Sequence, residues 1–508
     1  MPYAVSSNTT TPTARDGVMS LLHEATSAKA AIGFSRTAKG SFSNVAAQWT
    51  MRLDGNGRGL AFVLLPTATY GSEGAPPADA DWDEANLAGA FAVCFDTHNP
   101  PSEDPFNADG NIYGRPEREV SLHWDGREIA NRLSGAEFRG AECLVRVDVA
   151  HVVGGAEVSV RVGGAAVYDR FFLPEMHPFE HRVAFGAVAG DKATSASVDD
   201  VVVRWSNPSK PTDPPLSVIA IDKWLNNADH HKIEREVEFP ADNYPYGRIL
   251  CTLTLDKPEA GYDPWDRSAA IYVYDETGER FEVLRYITPY RRGHRWTVDV
   301  SDFRPLLRGR KRVAVECGTY GQGWLVSVEF RFHKGPAERY AYAVKNLWTG
   351  SPEYGNPEKP MDDFFVPQRL KVDQAAKGGK LRFTVTGHGM SPNSENAAEF
   401  MRRGRTVTVG GKQFYNVLWK EDNYLNPCRP QGGTWKYDRA GWAPGDVVTP
   451  WEIDISALIR PGEELTIEYE PDPYVNQNRG QTWAPFHWVE SQLVLYCAER
   501  RLGQTNRS

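Results

Sequence analysis

Three short stretches carry the residues best suited to moving protons. They are Trp265-Asp266-Arg267, Glu316 at the close of the alternating run Arg312-Val313-Ala314-Val315, and Glu399-Phe400, followed downstream by Asp438-Arg439-Ala440-Gly441-Trp442. A carboxylate can take up and return a proton when its surroundings tune its pKa. Aromatic rings nearby offer a flat apolar surface, which suits the apolar face of a sugar. Acids, arginines and aromatics in a β-rich frame therefore suggest carbohydrate chemistry. Each acid taken singly also has an ordinary reading, since an Asp before an Arg often caps a turn and a strand-end Glu is often solvated. Asp438 to Gly445 reads equally as a glycine-supported turn, or as a turn whose Arg439 orients a carboxylate through paired hydrogen bonds.

The elements that must position these residues are strands. Val313 and Val315 share one face, so Glu316 shares the other with Ala314, beside the Gly-rich turn Gly318–Gly323. Asp266 precedes the apolar run Ala269–Tyr274, and Glu399 follows Gly387-His388-Gly389. Earlier in the chain, Ala47–Leu53, Leu60–Leu65, Leu144–Val149 and Val158–Val162 are short apolar or alternating runs separated by Gly, Asn and Pro loops. This pattern predicts an all-β sandwich closing with Ser197–Trp205. Residues 1–12 read as loose, and the spacing of apolar residues predicts a short helix over Asp16–Lys29. Pro208, Pro211, Pro214 and Pro215 mark a stiff linker. Two further β segments follow, divided by a Gly/Pro/Tyr-rich passage from Trp348 to Pro367, and each predicts a jelly roll. The expected division is a segment 1–30, a sandwich 31–206, a linker 207–215, jelly rolls 216–342 and 343–500, and a tail 501–508.

With 508 residues, the chain exceeds one hydrophobic core. A net charge of −9 without long basic runs argues against nucleic-acid or anionic-membrane partners. No apolar stretch predicts membrane insertion. The six cysteines are scattered without metal spacing and read as free buried thiols, as in a reducing compartment. Met1–Asn8 lacks the basic start and apolar region of a secretory signal, so the expectation is a cytoplasmic protein or one whose signal has been removed. His230-His231 lacks a third ligand at metal spacing, and neither a metal nor a cofactor is expected.

From about residue 216 to about residue 500, with Val237-Glu238-Phe239-Pro240-Ala241-Asp242 as the first matching stretch, the chain resembles the peptide-N-glycosidase F family. The resemblance is carried in order by that stretch, Pro264-Trp265-Asp266-Arg267, Arg285-Tyr286-Ile287-Thr288-Pro289-Tyr290, Val298–Phe303 and Asp438–Pro444. It implies two adjacent eight-stranded jelly rolls with a site in the cleft between them. Carried over residue by residue, the essential aspartate falls on Asp266 and two supporting glutamates fall on Glu316, through a one-residue gap, and Glu399. Trp265, Arg267, His388, Phe400, Arg439, Trp442 and Tyr320 are the substrate-binding candidates. His388, Phe400 and either Thr319 or Tyr320 stand where the family has cleft tryptophans, and the family's disulfide cysteines are missing. Members of the family are usually exported, against the cytoplasmic reading. The N-terminal sandwich resembles the concanavalin A or laminin-G class through Phe91–Thr97.

The resemblance implies hydrolysis of the asparagine–GlcNAc amide of an N-glycoprotein or glycopeptide. Asp266 would be the principal acid/base, Glu316 would hold sugar or water, and Glu399 would complete the relay. Two alternatives stay open: a glycoside hydrolase on the same fold, and a non-catalytic glycan-binding protein.

Overall fold

The computed structural model describes residues 2–9, 11–55, 57–98, 117–210, 212–389, 398–476 and 484–498. It is built almost wholly of strands in two compact units. The expected tail 501–508 and Pro211 of the linker lie outside the described residues. No described helix is long and apolar enough to cross a membrane.

The first unit packs two seven-stranded sheets face to face. Alternation along Ser41–Gly55 turns Trp49 inward, where its ring stacks on Phe62 at 4.8 Å and meets Phe95 and Phe185 edge-on. Two local expectations are corrected. Residues 16–29 form no helix: Thr13–Arg15 and Val18–Ala25 are antiparallel strands joined by Asp16-Gly17. Both turn residues have positive φ, 51° and 92°, as a two-residue hairpin loop requires. Nor is the N-terminal stretch loose, because Tyr3–Ser7 pairs with Lys29–Phe34. Both sheets thus draw on residues before position 31, and the last long strand, Thr194–Ser209, runs past residue 206 to pair Ser209 with Ser41.

The short segment Leu425–Pro430 also groups with the first unit. There Arg429 reaches Glu128 at 2.5 Å, Glu84 at 3.1 Å and Glu119 at 3.5 Å.

The second unit contains the two jelly rolls. In the first, a four-stranded sheet that includes Tyr246–Asp256 and Trp324–Lys334 packs on the sheet of Lys232–Phe239, Gly309–Cys317, Ser268–Tyr274 and Arg280–Ile287. Asp446–Val447, from the second half of the chain, adds a short strand to the edge at Tyr286 and Ile287. The second jelly roll pairs two four-stranded sheets around Trp348, Phe383, Ile467 and Tyr469. Its strands Gly378–His388 and Phe486–Cys497 run side by side, with His388 opposite Phe486 and Thr386 opposite Trp488. All six cysteines are buried, and none is in a disulfide.

Candidate active site

The loop carrying Asp266 is clamped at both ends. Thr288, just past the strand Arg280–Ile287, accepts the Arg267 N–H on its hydroxyl at 2.8 Å and donates its own N–H to the Arg267 carbonyl at 2.9 Å. Asp263 is fully buried beneath the loop; it accepts the Trp265 N–H at 2.9 Å and the Thr319 hydroxyl, and faces Arg267 Nη2 at 3.7 Å. Tyr290 donates its hydroxyl to the Asp266 carboxylate. Its backbone N–H is held by Gln431 at 3.1 Å and its hydroxyl meets Thr434 at 3.2 Å. Gly433, at φ 65°, allows this approach, because a Cβ there would lie 2.6 Å from the tyrosine ring.

The second jelly roll supplies the partner acid. Glu399 accepts the Ala440 N–H on its carbonyl at 2.9 Å, which ties its turn to the Asp438–Trp442 segment. Arg439 is buried between the Phe400 and Trp442 rings, 5.2 and 4.8 Å from their centres. Its Nη1 donates to the carbonyls of Thr434 and Tyr437, both at 2.9 Å, and its Nη2 to the Thr434 hydroxyl at 2.8 Å. Nε is left facing Glu399 Oε1 at 3.6 Å. With its terminal nitrogens fixed to Thr434 and Tyr437, this guanidinium is a preorganised charge rather than a mobile one.

Asp266, Arg267, Ser268 and Ile287 line a cavity of about 460 Å³ from the first jelly roll. His388, Gly389, Glu399, Trp442, Ala484 and Phe486 line it from the second. Burial pushes Glu399 up to about 7; the Arg439 charge opposes this and the nearby Asp266 charge adds to it. Burial also raises Asp266 above the ordinary aspartate range, against Arg439 and the Tyr290 hydrogen bond. Asp266 keeps some surface open towards the cavity while protein packs closely around it.

Of the sequence candidates, the structure brings Asp266, Arg267, His388, Glu399 and Trp442 to the cavity wall, with Arg439 and Phe400 packed behind Glu399. Trp265 and Tyr320 are instead exposed, 60% and 86%, outside the lining, with Tyr320 lying 5.6 Å from the Arg267 guanidinium. Thr319 is fully buried on Asp263 rather than set in a wall. Glu316 also lies outside the lining. It pairs across the sheet with Ala270 and Lys232, and its carboxylate is held by Lys232 Nζ at 2.9 Å and Arg280 Nη1 at 3.3 Å. The register sets Glu316 level with Ala270 and Arg285, whereas the cavity begins two pairs further along, at Ser268 and Ile287. Continuing that register brings Gly318 level with the cavity, where an added Cβ would meet nothing within 4 Å.

Asp263, Tyr290 and Phe486 also build the site, although they are not among the sequence candidates. Tyr290 closes a stretch that carried the family resemblance, and Asp263 stands three residues before Asp266; Phe486 had no local signal and is placed only by strand pairing. His230 and His231 bond Asn227 and the Thr319 carbonyl, and no metal-holding group of His, Cys, Asp or Glu is gathered among the described residues.

Fold and site together define a double jelly roll with a carboxylate cavity whose walls come from both halves. Residues 357–493 match the family model for the C-terminal part of peptide-N-glycosidase F. The peptide-N(4)-(N-acetyl-β-D-glucosaminyl)asparagine amidase F of Elizabethkingia miricola is 28% identical over 323 residues, which is 60% of this chain and 90% of that protein. The solved structure of the glycosylasparaginase PNGase F from Flavobacterium meningosepticum aligns with a TM-score of 0.51 at 25% identity, covering 56% of this chain and 96% of its own. The C-terminal module is similar to the peptide-N-glycosidase F family, and at that level the likeness supports a hydrolase.

Proposed function

We propose that this protein hydrolyses the amide between asparagine and the first GlcNAc of an N-glycoprotein or glycopeptide. The carrying observation is the convergence of Asp266 and Glu399, from different jelly rolls, on one cavity beside the buried Arg439. Two acids with different surroundings divide the work of amide hydrolysis. Asp266 takes a proton from water as its oxygen attacks the amide carbon. The C–N bond then breaks, and Glu399, whose pKa stands about 7, returns a proton to the departing glycosylamine nitrogen. Arg439 holds the pair at neutral pH and stabilises the carboxylate left on Glu399. The products are an aspartate and the intact glycan as its glycosylamine.

The test is incubation with a denatured N-glycoprotein and mass analysis of both products. Release of the intact glycan with Asn converted to Asp, abolished in Asp266→Asn, is expected. A GlcNAc left on asparagine would replace the amidase with a glycosidase. No release from several glycoproteins, with retained glycan binding, would replace it with a binding protein.

A further inference from the structure

Behind the cavity wall, a chain of hydrogen bonds ends on His388 and determines which of its nitrogens carries the proton. Thr386 and His388 are two residues apart on the strand Gly378–His388, so both side chains leave the same face. His388 Nε2 lies 2.7 Å from Thr386 Oγ1. The same oxygen receives an N–H from Arg285 Nη1 at 3.1 Å. Arg285 is fully buried and cannot swing away. Glu282 accepts from its Nε and Nη2 at 3.2 and 2.9 Å, the Trp488 carbonyl accepts from Nη1 at 2.8 Å, and the Trp488 ring centre lies 3.7 Å from the guanidinium.

A guanidinium only donates, so Thr386 must accept from Arg285 and place its own proton elsewhere. Giving that proton to His388 Nε2 pairs every group. The reverse arrangement, with Nε2–H as donor, leaves a fully buried hydroxyl proton without an acceptor, which folded proteins rarely tolerate. The imidazole proton therefore sits on Nδ1. Burial, with the Arg285 charge next in weight, also drives the His388 pKa down to about 3, so the ring stays neutral at ordinary pH. The imidazole is stacked near-parallel on Trp442 and on Phe486, with 5.3 Å between centres in each pair. With its faces engaged by protein rings, it offers the cavity an edge.

We propose that His388 is a specificity-determining residue that donates Nδ1–H to an uncharged oxygen of the bound sugar, with Thr386 and Arg285 as positioning residues that hold it in that tautomer. This rests on the amidase reading given above. Where a ring face would accept any sugar surface, an N–H edge selects for an acceptor oxygen at one place.

The first arm of the test is ¹⁵N NMR of ring-labelled histidine in the full chain, with the His388 signals assigned by their loss in His388→Phe. A protonated Nδ1 and an unprotonated Nε2, constant from about pH 5 to about pH 9, are expected. Thr386→Val should shift the ring towards the other tautomer, and Thr386→Ser should keep the original. The second arm is kinetics on a glycopeptide. His388→Phe and Thr386→Val should raise KM about three- to tenfold with kcat within about twofold, and Thr386→Ser should restore KM. A protonated Nε2 in the unaltered protein overturns the tautomer. A correct tautomer with a fall in kcat and unchanged KM overturns the ground-state donor role. The spectrum needs no turnover, so failure of the amidase reading and failure of this proposal are distinguishable.

Discussion

Arg429 in the first unit and Arg439 in the second are alike in chemistry and unlike in setting. Each is an almost fully buried guanidinium facing more than one carboxylate. Around Arg429 the acids Glu119 and Glu128 are as deeply buried as the arginine, and burial raises them to about 6 and about 8. Around Arg439 the acids face a cavity, and Glu399 rises to about 7. A displaced carboxylate pKa therefore does not by itself mark a reacting group. What separates the clusters is access: Asp266 and Glu399 line a cavity, whereas the Glu119 and Glu128 side chains are buried among the described residues. The first cluster holds a segment in place, and the second is the one the proposed reaction uses.

The largest effect that would break this contrast belongs to Asp266. Asp266→Asn should lower kcat by about a hundred- to ten-thousandfold while leaving the unfolding midpoint nearly unchanged. Substantial remaining amidase activity would return the cavity acids to a structural role. Arg429→Met should do the opposite. Stranding Glu84, Glu119 and Glu128 without a cation should cost about 3–5 kcal/mol of stability, read by denaturant unfolding, with kcat of the folded fraction retained.

The two clusters should also separate in pH. Glu399 gives up its proton near pH 7, so kcat should fall on the alkaline side, and Glu399→Gln should lose that limb along with most of the rate. Glu128 should register in stability rather than turnover. Its folded pKa lies above its unfolded value near 4.5, so the stabilising contribution is complete below about pH 4.5 and is lost as pH rises towards 8. Melting curves of Glu128→Gln should show a flatter dependence across that window. The smallest effect is expected at Glu316, a partly exposed acid paired with Lys232 and Arg280. Glu316→Gln should change stability by less than about 1 kcal/mol and kcat/KM by no more than about twofold. A loss comparable to that of Asp266→Asn would show that Glu316 reaches the substrate after all.

Much of the frame was legible because strand alternation is a local signal. Runs such as Val145-Arg146-Val147-Asp148-Val149 carry their buried and exposed faces in the residue order. The helix expected over residues 16–29 failed because the apolar residues of Val18–Ala25 fit either period, and the decisive sign was the Asp16-Gly17 turn. Asp266 and Glu399 could be picked out as candidates, yet they are more than a hundred residues apart and no spacing rule connects them.

The sequence by itself determined the residue types, the strand faces and the family likeness, because these depend on side-chain chemistry and a two-residue repeat. Tertiary structure alone decided which acids meet. Register across Ser268–Tyr274 and Gly309–Cys317 leaves Glu316 two pairs short of the cavity. Packing of one jelly roll on the other sets Arg285 against Thr386 and so determines the proton on His388. A one-step change in pairing moves a carboxylate by several ångströms, further than a hydrogen bond can stretch, and such a displacement leaves no mark in the local sequence.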